Sequence, residues 1–77
     1  MIIDNLREIF LDVNPGVDVS IFNENSRLVE DLKLDSLSQL MVCMKMEEEF
    51  NIHFEKFITF KTVSEVLDWL KTQGIKD

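Results

Sequence analysis

The chain has 77 residues, of which 45% are hydrophobic and 30% are charged. This length supports one modest hydrophobic core, so residues 1–77 are expected to form a single domain without a deep substrate cleft. Fifteen acidic residues against eight basic ones give a net charge of −7. Nucleic acid and anionic membrane surfaces would repel such a chain, which leaves basic proteins as the expected partners. The alternative is that the acidity only keeps a small protein soluble.

The N-terminal sequence, Met-Ile-Ile-Asp-Asn-Leu-Arg-Glu, brings acidic residues before any long apolar run. It therefore resembles neither a signal peptide nor a membrane span, and we expect a cytoplasmic protein without membrane insertion. The single cysteine, Cys43, cannot form a disulfide within the chain, and with one histidine, His53, no metal-ligand spacing is present. Cys43 is interpreted as a buried, inert thiol, and a monomer is the default expectation.

Apolar residues at helical spacing predict a first helix from Ile2 to Val13. Pro15 ends it, because the residue before a proline is pushed out of the helical region. Residues 14–35 show no sustained periodicity and predict a long loop, a feature that is uncommon in compact domains and often functional. Five apolar residues are expected to hold this loop against the core: Ile21, Phe22, Leu28, Val29 and Leu32.

The strongest predicted helix begins at Asp35 or Ser36 and ends at Asn51, a residue type that tolerates the left-handed conformation of helix ends. Its apolar residues fall on two neighbouring stripes. The first stripe is predicted to face the core and comprises Leu40, Cys43, Met46 or Glu47, and Phe50. The neighbouring stripe comprises Leu37, Met41, Met44 and Glu48.

The C-terminal part of the chain contains two further predicted helices. Residues 55–60 are long enough for one or two turns and predict a short third helix. Residues 62–65, Thr-Val-Ser-Glu, form a capping box, in which the hydroxyl and the carboxylate accept hydrogen bonds from free backbone N–H groups. This box opens a last helix that ends at Gly74. The sequence thus predicts an all-α fold: a four-helix bundle with a long loop between helices 1 and 2 and a short third helix.

The segment Leu-Lys-Leu-Asp-Ser-Leu at residues 32–37 places a serine hydroxyl where the long loop meets the strongest helix. Free backbone N–H groups and the helix dipole favour an attached phosphate there, by roughly 0.3 to 1 kcal/mol for an exposed group. Asp35 is the expected helix cap, and a further role in helping a modifying enzyme to hold magnesium or to orient Ser36 stays open. The plain alternative is that Asp-Ser before an apolar helix is only a favourable cap.

Three segments together resemble the acyl carrier protein family: residues 32–37, residues 46–52 (Met-Glu-Glu-Glu-Phe-Asn-Ile) and the Thr-Val pair at residues 62–63. The resemblance implies a small helical bundle whose Ser36 carries phosphopantetheine, transferred from coenzyme A by a phosphopantetheinyl transferase. It also implies that the thiol of this arm holds acyl intermediates as thioesters. The carrier would shuttle them between acyl-transferring and chain-extending enzymes of fatty-acid, polyketide or related biosynthesis.

No catalytic residue is proposed, and the chain is not expected to be an enzyme. The sequence offers no evident set of nucleophile, base and orienting group, and His53, just beyond a helix end, is interpreted as structural or solvated. Two alternatives stay open. One is an unmodified helical adaptor that binds a partner through the second helix. The other, within the carrier class, is a D-alanyl or peptidyl carrier.

The chain departs from the family pattern close to Ser36. Many fatty-acid carriers have acidic residues two and five positions after the modified serine, and here these positions are Ser38 and Met41. An apolar ridge takes their place, while acidity remains further along the helix. The predicted partner-binding residues are Leu37, Met41, Met44, Glu47 and Glu48.

Two interpretations of the ridge stay open. It docks a more apolar partner surface, as in a specialised carrier of polyketide, nonribosomal peptide, cell-wall or secondary-metabolite assembly. Alternatively, Met41 and Met44 turn inward, because methionine fills irregular gaps in a core. A second departure is the absence of the glycine that often precedes the aspartate in the family; Lys33 and Leu34 stand there instead.

Overall fold

The computed structural model describes residues 2–76, apart from the side chain of Val19. In this part of the chain three α-helices follow one another, α1 (Ile2–Val13), α2 (Ser36–Phe50) and α3 (Val63–Thr72), together with a short 3₁₀ helix at Val19–Ile21. Within residues 2–76 the strand-like pairing is limited to one isolated antiparallel bridge between Arg27 and Thr62. The fold is therefore all-α, as predicted. No helix in this part of the chain is both long and apolar enough to cross a lipid bilayer.

Helix α1 packs its apolar face into the centre of the fold, where Leu6 and Phe10 are fully buried. It ends as the sequence predicts: Asn14 N–H donates to the Phe10 carbonyl at 2.8 Å, and Pro15 then prevents a further turn. The ring of Phe10 meets that of Phe22 edge-on, with centroids 5.4 Å apart. This contact holds the long loop against α1.

The long loop, residues 14–35, is held to the core and to the start of α3. Of the five apolar residues expected to face inward, Phe22, Leu28 and Leu32 are buried, whereas Ile21 and Val29 are 41% and 51% exposed. The prediction was wrong for those two because an irregular segment has no period that reveals which side chains face inward. Three backbone hydrogen bonds join the loop to residues 61–64: Leu28 N–H to Lys61 O (2.9 Å), Val63 N–H to Ser26 O (3.0 Å) and Ser64 N–H to Glu24 O (2.8 Å).

Residues 55–60 do not form the predicted short third helix; they consist of bends and irregular backbone. Side chains of α2 take up the backbone donors at both ends of this segment. Phe54 N–H donates to the Glu47 carboxylate at 2.9 Å, and Phe60 N–H donates to the side-chain carbonyl of Gln39 at 3.4 Å. Because one or two isolated helical turns are marginal, these bonds prevail over local ones. The described chain therefore has three α-helices in place of the predicted four-helix bundle.

Helix α2 is rotated relative to the predicted orientation. Its buried residues are Gln39, Val42, Cys43 and Met46. Leu40, which the sequence assigned to the core, is 41% exposed, and Phe50 is only partly buried. Apolar residues lie on both faces of α2, so periodicity alone does not decide which face points inward. Packing against the rest of the chain decides which face points inward. It buries Gln39 in place of Leu40, the first residue of the predicted core stripe.

Helix α3 begins with the cap that the sequence predicts. The Thr62 hydroxyl accepts Glu65 N–H at 3.3 Å, and the Glu65 carboxylate accepts Lys61 N–H at 3.2 Å. The carboxylate thus serves the residue before the cap rather than the cap itself. Past the helix end, Gly74 has a φ of 85°, a left-handed conformation that glycine adopts without strain.

Lys33 lies in the left-handed region, with a φ of 59°, two residues before the cap of α2. A residue with a side chain pays roughly 1–2 kcal/mol for this conformation. The Lys33 ammonium donates to the Glu30 carbonyl at 2.9 Å, which offsets part of that cost. We therefore expect Lys33→Gly to raise the free energy of unfolding by about 0.5–1 kcal/mol, measured by urea denaturation.

Lys56→Gly is the matched control for this substitution. Lys56 is also exposed and outside the helices, but its φ is not positive, so its backbone is not strained in this way. Glycine at Lys56 only adds freedom to the unfolded chain, so that variant should be no more stable than the parent. If both glycine variants changed stability equally, backbone strain at Lys33 would not be the cause.

Candidate functional site

Ser36 is the first residue of α2, and its side chain is exposed. The preceding residue, Asp35, is the helix cap: its carboxylate accepts Ser38 N–H at 2.8 Å. The carbonyl of Asp35 accepts Gln39 N–H at 2.9 Å, the first bond of the helical ladder. Leu34 is fully buried, so the chain is anchored to the core directly before the cap. The serine hydroxyl is thus presented to solvent at the tip of a capped and anchored helix.

The N-terminal end of α2 favours negative charge. The first backbone N–H groups of a helix have no partner within it, and the helix dipole places partial positive charge there. The backbone N–H of Ser38, aided by the Ser38 hydroxyl, holds the pKa of the Asp35 carboxyl below its ordinary value of 3.8. A phosphate ester on Ser36 would lie at the same helix end, where N–H groups can bind its oxygens. The exposed hydroxyl and this electrostatic setting fit a phosphate-linked group.

The lowered pKa of Asp35 makes its contribution to folding dependent on pH. Because the carboxyl binds its proton less tightly in the folded chain, the contribution is complete above the unfolded value, near 3.8, and is lost as the pH falls through the folded pKa. We expect Asp35→Ala to lower the urea midpoint at pH 7 and the difference from the parent to shrink at pH 3.

The control for Asp35 is Asp68→Ala, which removes an exposed carboxylate from α3. This variant should leave the urea midpoint at pH 7 close to that of the parent, since exposed positions away from caps tolerate substitution. An Asp35→Ala midpoint equal to that of Asp68→Ala at pH 7 would show that the cap contributes little.

The apolar ridge, defined as Leu37, Met41 and Met44, lies on the surface of α2. Its three side chains are 65%, 41% and 56% exposed. Met41 and Met44 therefore do not turn inward to fill the core. The ridge begins beside Ser36 and runs for about 10 Å along the helix. Leu40, also 41% exposed, adds apolar surface next to it.

The two acidic residues assigned to partner binding differ in their surroundings. Glu47 is half-buried, and its carboxylate accepts Phe54 N–H at 2.9 Å and lies 3.2 Å from the His53 ring nitrogen Nδ1. Glu47 therefore holds the chain that leaves α2. Glu48 is exposed and lines a shallow pocket beside Met41 and Met44. Of the two acidic residues, Glu48 is therefore the one that lies beside the ridge and is exposed to solvent.

Sequence reasoning missed two positions near the site. Leu40 was assigned to the core but is exposed, and Gln39, one turn after Ser36, is buried with only 6% exposure. Leu40 and Gln39 lie three and four residues before Cys43, so helical spacing allows either of them to share the buried face of Cys43. Because glutamine is rarely buried, the apolar Leu40 was the expected core residue.

Cys43 is buried, as predicted. Burial, with a further effect from the negative charge of Glu47, raises the pKa of the Cys43 thiol. The sulfur lies 3.8 Å from the Ile58 carbonyl oxygen. A thiol with a raised pKa is protonated at neutral pH and is a weak nucleophile, which supports the interpretation of an inert residue.

Comparison with known proteins agrees with this geometry. The family model described as the phosphopantetheine attachment site matches residues 4–70. The acyl carrier protein of Chlamydia caviae is 36% identical over 72 residues, covering 91% of this chain and 92% of that protein. That of Chlamydia felis is 38% identical over 72 residues, covering 91% of each chain. That of Rickettsia bellii is 31% identical over 74 residues, covering 90% of this chain and 86% of that protein. The chain therefore belongs to the acyl carrier protein family, whose prosthetic group is phosphopantetheine.

Proposed function

We propose that Ser36 is the residue that carries phosphopantetheine, and that the chain moves acyl groups between enzymes of fatty-acid, polyketide or related biosynthesis. The observation that carries this proposal is the exposed Ser36 hydroxyl at the capped N-terminus of α2. When bound, the prosthetic group supplies a flexible arm with a terminal thiol that holds acyl groups as thioesters. The domain itself serves as a compact handle for that arm.

The residues around Ser36 each have a part in this function. Asp35 holds the first turn of α2 through its bond to Ser38 N–H, so the attachment point has a defined orientation. The buried Leu34 side chain fixes the loop in front of the cap. The remaining N–H groups of the first turn favour the charge of the attached phosphate. None of these residues breaks or forms a bond in the cargo.

The partner-binding surface proposed here is the apolar ridge with Glu48 at its edge. An exposed row of apolar side chains beside the attachment point supports docking, because such rows mark interaction sites more often than ordinary surface. The net charge of −7 opposes contact with a second copy of this chain. The fitting partner is therefore a transferase or acyl-transferring enzyme with an apolar groove and a basic rim.

Intact mass after incubation with coenzyme A, magnesium and a broad-specificity phosphopantetheinyl transferase tests the attachment site. We expect the parent chain to gain one phosphopantetheine and Ser36→Ala to gain none. Ser38→Ala is the matched control, since it removes a serine hydroxyl two residues away and should still be modified.

The proposal would be overturned if the parent chain is folded but gains no mass, while the same transferase modifies another carrier protein in a parallel reaction. That outcome would leave the unmodified helical adaptor, which uses the same exposed ridge, as the function to pursue. Modification of Ser36→Ala would instead move the attachment site to another residue.

A further inference from the structure

Gln39 is a polar side chain inside the inward face of α2. It is 6% exposed and follows Ser36 by one helical turn. Burying an amide is unfavourable unless its donor and its acceptor both find partners. A leucine or methionine at this position would need no hydrogen-bond partner. Packing alone therefore does not explain why a glutamine is buried here.

Both halves of the Gln39 amide are bonded, and to different parts of the chain. Its nitrogen donates to the Leu34 carbonyl at 3.3 Å, and its oxygen accepts Phe60 N–H at 3.4 Å. Leu34 precedes α2, whereas Phe60 ends the irregular segment of residues 55–60. The amide therefore links the start of α2 to that segment. Both separations are at the long end of the hydrogen-bond range.

The contact between α2 and residues 58–60, called the seam below, changes character with depth. At the Ser36 end it is closed by the Gln39 amide. One turn further, Cys43 lies against the Ile58 carbonyl, with 3.8 Å between sulfur and oxygen. Behind these contacts lies the hydrophobic core, which includes Val42 and Met46 of α2 and against which Phe60 packs. The seam is thus polar at its mouth and leads into an apolar interior.

An acyl chain on an arm at Ser36 would meet the mouth of this seam within one turn of its attachment point. Entry would separate Gln39 from Leu34 and Phe60. Methylene groups neither donate nor accept, so the amide, the Leu34 carbonyl and the Phe60 N–H would be left without partners in a dry interior. The apolar gain of burying a short chain is opposed by this loss.

We propose that Gln39 is a specificity-determining residue that closes the seam to saturated acyl chains and keeps them on the outside of the carrier. The proposal rests on the function proposed for Ser36. It assigns the carrier a cargo whose thioester stays accessible to solvent and partners, and it names the side chain responsible. Removing the amide while keeping an apolar side chain of similar size should open the seam.

Hydrolysis of the loaded full-length chain tests this assignment. Octanoyl and acetyl thioesters are prepared on the parent, on Gln39→Leu and on Glu49→Leu, which gains the same leucine at an exposed position of α2. In the parent and in Glu49→Leu, octanoyl should be hydrolysed within about twofold of octanoyl-pantetheine free in solution. In Gln39→Leu it should be hydrolysed about tenfold more slowly, as when roughly nine-tenths of the chains are buried.

The acetyl thioester separates gating from a general change in structure, because an acetyl group is too short to reach the apolar part of the seam. Its hydrolysis should be the same in all three proteins. Slow octanoyl hydrolysis in the parent, or equal rates in the parent and Gln39→Leu, would overturn the proposal. Gln39→Met, with a side chain of similar length, repeats the measurement if leucine prevents folding.

Hydrogen exchange of the Phe60 amide tests the link without any cargo. In the unmodified chain this amide should exchange faster in Gln39→Leu than in the parent, because its acceptor is gone. Unchanged exchange would show that Gln39 does not hold the segment, and would overturn the proposal. A chain that is not modified at Ser36 counts against the proposed function, and the exchange measurement still decides whether Gln39 closes the seam.

Discussion

Leu37→Asp is expected to lower kcat/KM for phosphopantetheine transfer to Ser36 by roughly thirtyfold, which corresponds to about 2 kcal/mol at the centre of a docking surface. Leu37 follows Ser36 directly and is 65% exposed, so its apolar side chain contributes little to the stability of the free protein. An acidic residue in the first turn of a helix is favourable, and the fold should be retained. The loss would therefore arise in the complex with the transferase, measured by initial rates with coenzyme A.

Val29→Asp provides the matched control for the ridge. Val29 is 51% exposed and lies on the long loop, so the same apolar-to-acidic change is made outside the ridge. Its kcat/KM should stay close to that of the parent. If both variants lost the same activity, added negative charge would explain the result and the ridge would not be a docking surface. Circular dichroism spectra verify that each variant is folded.

Phe10→Ala is expected to lower the free energy of unfolding by about 3–5 kcal/mol, the usual cost of emptying a buried aromatic site. Phe10 is fully buried in α1 and meets Phe22 with ring centroids 5.4 Å apart. A chain of this length has roughly 4–12 kcal/mol of stability in all, at about 0.05–0.15 kcal/mol per residue. Urea denaturation should therefore show a large fall in midpoint or a chain that is already unfolded in buffer.

Phe57→Ala makes the same substitution at a surface site. Phe57 is 45% exposed in the irregular segment, so its removal should change stability by no more than about 0.5 kcal/mol. Comparable losses in the two variants would mean that Phe57 packs more closely than its exposure indicates. A stable Phe10→Ala protein would show that the contact between α1 and the long loop is dispensable.

The ridge separates this chain from carriers that follow the acidic pattern. Where such a carrier presents two carboxylates after the serine, α2 presents Ser38 and the exposed Met41. Apolar contacts are insensitive to salt, whereas contacts between exposed charges are screened by it. Partner selection through the ridge would therefore depend on shape and apolar area more than on long-range attraction.

Local sequence determined the elements whose causes lie within a few residues. Pro15 ends α1, Asp35 caps α2, and Thr62 caps α3, because each acts on the backbone within about one turn of itself. Asn51 ends α2 in the left-handed conformation, with a φ of 54°. The prediction of Ser36 as the attachment point also depends only on local sequence, since the motif and the start of the helix both lie within residues 32–37.

The tertiary structure alone decided the features whose causes lie far along the chain. Residues 55–60 are irregular because their flanking amides bond to Glu47 and Gln39, the latter 21 residues from Phe60. Packing against the rest of the chain sets the rotation of α2, and that rotation buries Val42 and Met46 with Gln39 and leaves Leu40 on the surface. Helical period could not choose between two apolar faces of one helix, because the choice depends on which face the rest of the chain covers.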